Sequence, residues 1–282
     1  MFTRIATAGF LLLGFAAPVV LTGCAETTQP NTEAQAPKLP PVQTMSLDLS
    51  FFTAKNAPGI HDAAANKLNF INAVVRADFI NRIVVDVLTP PALAFGAALN
   101  TIPSRDEDGS YLWIYTWVEG GKDHQIRLRG TENGDAVDWE LAVVRPGEAA
   151  QVWITGQSQS SKDEGFWIFR DIDLAGDPEV LRVDWQEVSP TDATLLFTNI
   201  KTGDEEEGDL LRYRVDGTEG SIEFDDASTD ETWDIIWDEA DGSGSLRVPD
   251  YNNGERACWD VNQENTQCPV AAGDILAGGG LR

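Results

Sequence analysis

The chain has 282 residues, 46 of them acidic and 20 basic, for a formal charge of −26. That balance lacks the basic footprint on which nucleic-acid binding rests, and it rules against docking by charge onto anionic lipid. The bias is toward Asp over Glu (27 against 19) and Arg over Lys (14 against 6). Such a surface suits high-salt surroundings, where self-repulsion is screened, and equally suits an ordinary soluble acidic protein.

In chain order, the first element is a short basic start, Met1 to Ile5 with Arg4, running into an apolar segment from Ala6 to Leu21. A positive flank, an apolar stretch of about 7–15 residues and small residues at a cleavage site make an export signal. The stretch is at the short edge for a membrane-spanning helix, which needs about 20 apolar residues. It closes on Leu21-Thr22-Gly23-Cys24, and there it resembles the signal peptide and lipobox of bacterial lipoproteins. The resemblance covers residues 1–24 and implies cleavage before Cys24, which gains a diacylglyceryl thioether and an acylated amine. Two acyl signals suffice for stable anchoring, so the membrane is met through the anchor alone. In two-membrane cells, an Asp after the cysteine favours inner-membrane retention. Here that residue is Ala25, so the resemblance points to the outer membrane, with the domain in the periplasm or at the cell surface. Without residues 1–23, 19 basic and 46 acidic residues remain, a formal charge of −27.

Residues 24–46 read as the lipidated cysteine and a flexible tether, because Thr, Gln, Pro and Asn cannot bury enough surface to offset ordering entropy. A single β-rich domain is expected over 47–282. Leu47 to Ala54 alternates like a short strand. From about 62 to 88 the period becomes helical, with Leu68, Ile71, Val74, Val75, Phe79, Ile83 and Val87 on one stripe. Thr89-Pro90-Pro91 is expected to end this helix, and Ala92 to Leu99 reads as a second, short, buried one.

Beyond Ser104, runs rich in Trp, Phe, Ile and Val recur, separated by turn dipeptides such as Asn133-Gly134 and Asp216-Gly217. Val137, Trp139, Leu141 and Val143 point one way, while Asp138 and Glu140 point the other. The same alternation holds through Leu181–Gln186, Leu211–Val215 and Trp233–Asp238, so one face is buried and one wet. A transmembrane barrel would instead carry an apolar band toward lipid. The expected fold is mainly β: an antiparallel up-and-down meander of about 10–12 strands, forming a barrel or strongly curved sheet with the N-terminal helix packed in or across it. Residues 271–282 are Gly/Ala-rich, which suits a loose end.

With Cys24 lipidated, Cys258 and Cys268 remain as a pair for a disulfide, stabilising by roughly 3 kcal/mol on loop-closure arithmetic. A zinc site there lacks companion ligands. His61 and His124 have no nucleophile motif beside them, and no phosphate loop, dinucleotide fingerprint or metalloprotease motif occurs. No cofactor is expected. Calcium is the one candidate ion, at the acidic loops Asp106–Gly109, Asp204–Glu207 and Asp238–Asp241. The calcium-loop motif fails, since Tyr115 falls where a bidentate Glu belongs. Trp113, Trp117, Trp139, Trp153, Trp167, Trp185, Trp233 and Trp237 all sit in expected strands, where they fill a core or line a cavity for an apolar or sugar ligand. Trp153 and Trp167 fall opposite Val152, Ile154, Phe166 and Ile168, which makes both sheet faces apolar there and marks either a surface for a protein partner or ligand, or coverage by the tether or Leu47–Ala54. The expected role is an envelope lipoprotein with a non-catalytic binding, carrier or scaffolding domain. The alternatives are an envelope hydrolase using paired carboxylates and a purely structural surface protein.

Overall fold

The computed structural model describes residues 35–52, 65–159, 163–186, 188–189 and 191–269. The signal segment, Cys24, residues 25–34 of the tether, His61 and residues 271–282 lie outside them. The first half of the sheet comprises β1 (Ser104–Arg105), β2 (Tyr111–Glu119), β3 (Lys122–Asn133), β4 (Ala136–Val144), β5 (Gln151–Gln159), β6 (Glu164–Arg170) and β7 (Glu179–Gln186). The second half comprises β8 (Asp192–Asn199), β9 (Leu210–Asp216), β10 (Glu219–Asp226), β11 (Glu231–Asp238), β12 (Gly244–Arg247), β13 (Ala257–Trp259) and β14 (Asn265–Thr266). All 14 strands form one sheet in sequence order, and successive neighbours run antiparallel, as local hairpin turns dictate. At the β3–β4 turn, Gly134 takes φ 64, a conformation that a Cβ penalises. The sheet is a strongly curved meander rather than a closed barrel: β1 and β14 are its two edges, each only two residues long.

The inner face carries a repeated glycine–tryptophan device. Gly130 on β3 pairs with Trp139 on β4, which pairs in turn with Gly156 on β5, itself opposite Trp167 on β6. A Cβ on Gly130 would lie 2.6 Å from Trp139 Cζ3, so the glycine leaves the slot the indole fills. Gly165 serves Trp185, Gly220 serves Trp237, and Gly244 serves Trp259 in the same way. Trp139 is locked further, its Nε1 donating to Ser158 Oγ at 2.8 Å.

One long helix, α1 (Leu68–Leu99), lies against this face. It touches β2 and β3 on one side and β12 and β13 on the other, so the sheet curves around it. The expected stop at Pro90-Pro91 is corrected: the helix runs through both prolines, and its axis bends by 58° between 65–82 and 87–99. The ring of a proline clashes with the carbonyl four residues back, which places both clashes, at Asp86 and Val87, beside the bend. The expected buried stripe is also corrected. The core face is Phe70, Ala73, Ala77, Ile80, Val84 and Leu88, while Leu68, Val75 and Phe79 are exposed. Ala73 and Ala77 are fully enclosed on the core face, and larger residues of the other face are left outside.

The chain before α1 forms an inner layer. Thr44 and Met45 are fully buried, and Trp167 Nε1 donates to Thr44 Oγ1 at 2.9 Å. Residues 36–46, expected in the tether, therefore belong to the folded unit, which begins at Ala36. Their widely spaced apolar residues, Leu39, Val42 and Met45, sit among Pro, Thr and Gln that mask them. The strand expected at Leu47–Ala54 is replaced, over its described part, by a 3-10 turn at Ser50–Phe52. Phe51 and Phe52 are both buried, which the alternation of a strand forbids. Phe51 stacks on Trp237 at 6.1 Å, Phe70 meets Trp259 edge-on at 5.6 Å, and Phe95 meets Trp167 at 5.4 Å.

On β6 the facing is as expected, and on β5 it differs. Ile154 shares the inner face with Trp167 and Phe169, while Phe166 and Ile168 lie on the outer one. Leu141 pairs with Ile154 but Ala142 pairs with Val152, so Trp153 is skipped in a β-bulge. A one-residue slip reverses every facing beyond it. The outer Phe166 is covered by the guanidinium of Arg182, 4.2 Å from its centroid.

Candidate ligand-binding cleft

Two apolar side chains of α1 that the core leaves out, with two from the edge of its core face, line a cleft of about 290 Å3. Its helix wall is Phe79, Ile80, Val84 and Val87. Phe79 and Val87 remain 54 % and 38 % exposed. Its sheet wall comes from one end of β7–β10. Phe197 pairs with Leu211, and Leu211 with Phe224, so three successive strands present one apolar row. Val180 and Leu181 of β7 extend that wall. Trp233 stacks behind Phe224 at 5.4 Å and holds its ring in place.

Two loops supply a polar rim. Asp171 comes from the β6–β7 loop, and Lys201, Glu206 and Asp209 come from the β8–β9 loop, with Asn199 at the end of β8. The β8–β9 loop is pinned back on its own strands. Asn199 N–H donates to the Asp209 carbonyl at 3.0 Å, Gly208 N–H to the Asn199 carbonyl at 2.8 Å, and Lys201 N–H to Asn199 Oδ1 at 3.0 Å. Lys201 Nζ lies 3.0 Å from Asp204 Oδ2. That hydrogen bond holds the lysine above its ordinary pKa, with Asp171 and Glu206 adding through space. The same bond holds the Asp204 carboxyl low. Asp209 moves the other way. Burial raises its pKa, and the Asp226 and Asp204 charges add to the shift, against a hydrogen bond from Ala227 N–H.

Among the described residues that line it, the cleft has no hydroxyl, thiol or imidazole. It offers apolar surface and carboxylates, an arrangement suited to holding a molecule.

The residues singled out in the sequence are distributed otherwise. None of the eight tryptophans lines the cleft. Trp113, Trp139, Trp167, Trp185 and Trp237 are buried in the core, with Trp117, Trp153 and Trp233 packed half-buried against it. His124 stacks on Trp117 at 5.0 Å, on the β2–β3 hairpin. Cys258 and Cys268 form a disulfide. The acidic loops spend their carboxylates on turns and ion pairs. Asp108 accepts from Ser110 N–H and Oγ and pairs with Arg129, and Asp238 and Asp241 each accept a backbone N–H two residues on. No group of three or more His, Cys, Asp or Glu among the described residues is arranged to hold a metal ion. Of the expected loops, only Asp204–Glu207 belongs to the cleft, through Glu206 at its rim. Phe197, Phe224, Val180 and Asp209 carried no distinguishing signal in the sequence.

The fold and site together define a curved antiparallel meander wrapped on a bent helix, with an apolar cleft between the two. No family model matches the chain, and no curated protein or solved structure is significantly similar to it.

Proposed function

We propose that this chain is an outer-membrane lipoprotein, anchored through lipid on Cys24, whose β domain binds and carries a small apolar ligand in the cleft. The observation that supports binding is the pair Phe79 and Val87, held partly exposed across about 290 Å3 from an apolar row on β8–β10. Leaving such surface uncovered costs roughly 25 cal/mol per Å2, and a ligand seated there recovers that free energy. Anchoring is supported by the Leu21-Thr22-Gly23-Cys24 match and by the cysteine inventory. Of three cysteines, two are joined to each other and Cys24 stands apart. Because the helix and sheet walls carry only apolar side chains and polar groups are confined to the rim, an apolar ligand fits it better than a sugar, whose hydroxyls would lie unpaired against those walls.

Two measurements test the reading. A neutral, environment-sensitive dye should brighten on the full chain, and Val180→Trp, which fills the sheet wall, should abolish the signal while the circular dichroism is unchanged. Equal brightening of both proteins sinks the binding claim. A fatty-acid analogue should label wild type but not Cys24→Ala, and equal labelling removes the anchor.

A further inference from the structure

We propose that the cleft takes a cationic amphiphile: an apolar chain of about ten heavy atoms between α1 and β7–β10, with an ammonium-type head at the carboxylate rim. This rests on the cleft being a ligand site and adds the class of ligand. The chain length follows from size, since about 290 Å3 holds on the order of ten water-sized groups at about 30 Å3 each.

The head group follows from charge. The lining carries three carboxylates, Asp171, Glu206 and Asp209, against one cation, Lys201. That cation is already engaged at 3.0 Å by Asp204, just outside the lining. An anionic head would meet three like charges and a lysine whose charge is spent, whereas a cationic head meets complementary potential. The rim already holds one ammonium, that of Lys201, under the combined field of Asp204, Asp171 and Glu206. Asp209 points to the same ligand. It is partly buried beside apolar walls, fixed by Ala227 N–H at 2.9 Å, and burial disfavours its charge. A cation docked beside it would favour its charged form and offset that burial. The loop carrying Glu206 and Asp209 is held by main-chain bonds at both ends, so little ordering is needed on binding.

Isothermal titration of the full chain in amphipol, against protein-free amphipol, compares decylammonium with decanoate. The expected result is decylammonium tighter by about tenfold or more. Asp209→Asn with Glu206→Gln, which keeps shape and the Ala227 hydrogen bond, should bring the two probes within about threefold of each other. Equal affinities on wild type, a preference for decanoate, or a cation preference that survives the double substitution would each overturn the head-group inference while leaving an apolar-ligand site in place. If neither probe binds wild type, the cleft reading fails with it. Glu206 is exposed, so Glu206→Gln alone reports on charge even if the Asp209 variant folds poorly. It should weaken decylammonium and leave decanoate no weaker; weakening both equally would count against the proposal.

Discussion

Gly130→Ala should destabilise the domain by about 2 kcal/mol, although Ala is ordinarily the better strand residue. The new methyl would sit 2.6 Å from Trp139 Cζ3 and 3.1 Å from Cε3 and Cη2. The indole cannot swing aside freely, because it is buried and its Nε1 is held at 2.8 Å by Ser158 Oγ. Overpacking of this kind costs about 1–3 kcal/mol, and breaking the indole hydrogen bond costs about 1 kcal/mol more. The lower entropy of the unfolded Ala chain offsets only about 0.5–1 kcal/mol. Urea unfolding followed by far-UV circular dichroism measures the difference. In Trp139→Leu the slot is empty, so the same alanine should cost little, giving a coupling of about 1–2 kcal/mol in the double-mutant cycle. Gly147→Ala is the control. Its φ is 81 with nothing near its Cβ position, so its cost is backbone strain and should add to that of Trp139→Leu. A Gly130→Ala protein as stable as wild type, or costs at 130 and 139 that simply add, would refute the packing argument.

Tyr213 is pushed up to about 12 by burial, its hydroxyl donating to the Asp48 carbonyl at 3.2 Å. A raised folded value means the contribution is complete below about pH 10 and is lost as pH climbs toward 12. Wild type should therefore lose stability over that window more steeply than Tyr213→Phe in alkaline urea titrations; parallel curves would contradict this. Asp234 is fully buried on the outer face, 2.5 Å from Arg256 Nη2 and 3.0 Å from Arg247 Nη2. Asp234→Ala should cost about 2–4 kcal/mol by leaving Arg256 without its anion, and less than the sum when combined with Arg256→Met; thermal unfolding reads both. Replacing Cys258 and Cys268 together with Ser should cost roughly 3 kcal/mol, with wild type falling to the same level under reductant. Insensitivity to reductant would show that the bridge contributes nothing.

The meander was legible because its signals are local. Alternation such as Val137, Trp139, Leu141 and Val143, with a turn dipeptide on each side, needs no knowledge of the rest of the chain, and the apolar runs that recur beyond Ser104 fall in β2–β13. The two edge strands are too short to alternate. The face of α1 was not legible, because the helix has apolar residues on two sides. What chooses between them is which side meets the sheet and the inner layer, a tertiary property. The bulge at Trp153 and the packing of Leu39, Val42, Thr44 and Met45 are likewise decided by partners distant in sequence. The cleft suffered most. Its walls come from α1 and four strands, so only the coincidence in space of Phe79, Leu181, Phe197, Leu211 and Phe224 defines it. Tryptophan is the more conspicuous residue type, but Trp139, Trp167, Trp185, Trp237 and Trp259 fill slots opposite Gly130, Gly156, Gly165, Gly220 and Gly244. The acidic run Asp204–Glu207 was visible, but its position depends on the loop folding back onto Asn199.

The most direct test of ligand binding is an NMR experiment on methyl- and ring-labelled protein with a neutral apolar probe bound. Intermolecular cross-peaks should connect the probe to Val87, Leu181, Phe197 and Leu211, the walls of the cleft. Cross-peaks confined to exposed apolar residues elsewhere, such as Leu93 or Ile102, which is 93 % exposed, would show surface adsorption and contradict a carrier cleft.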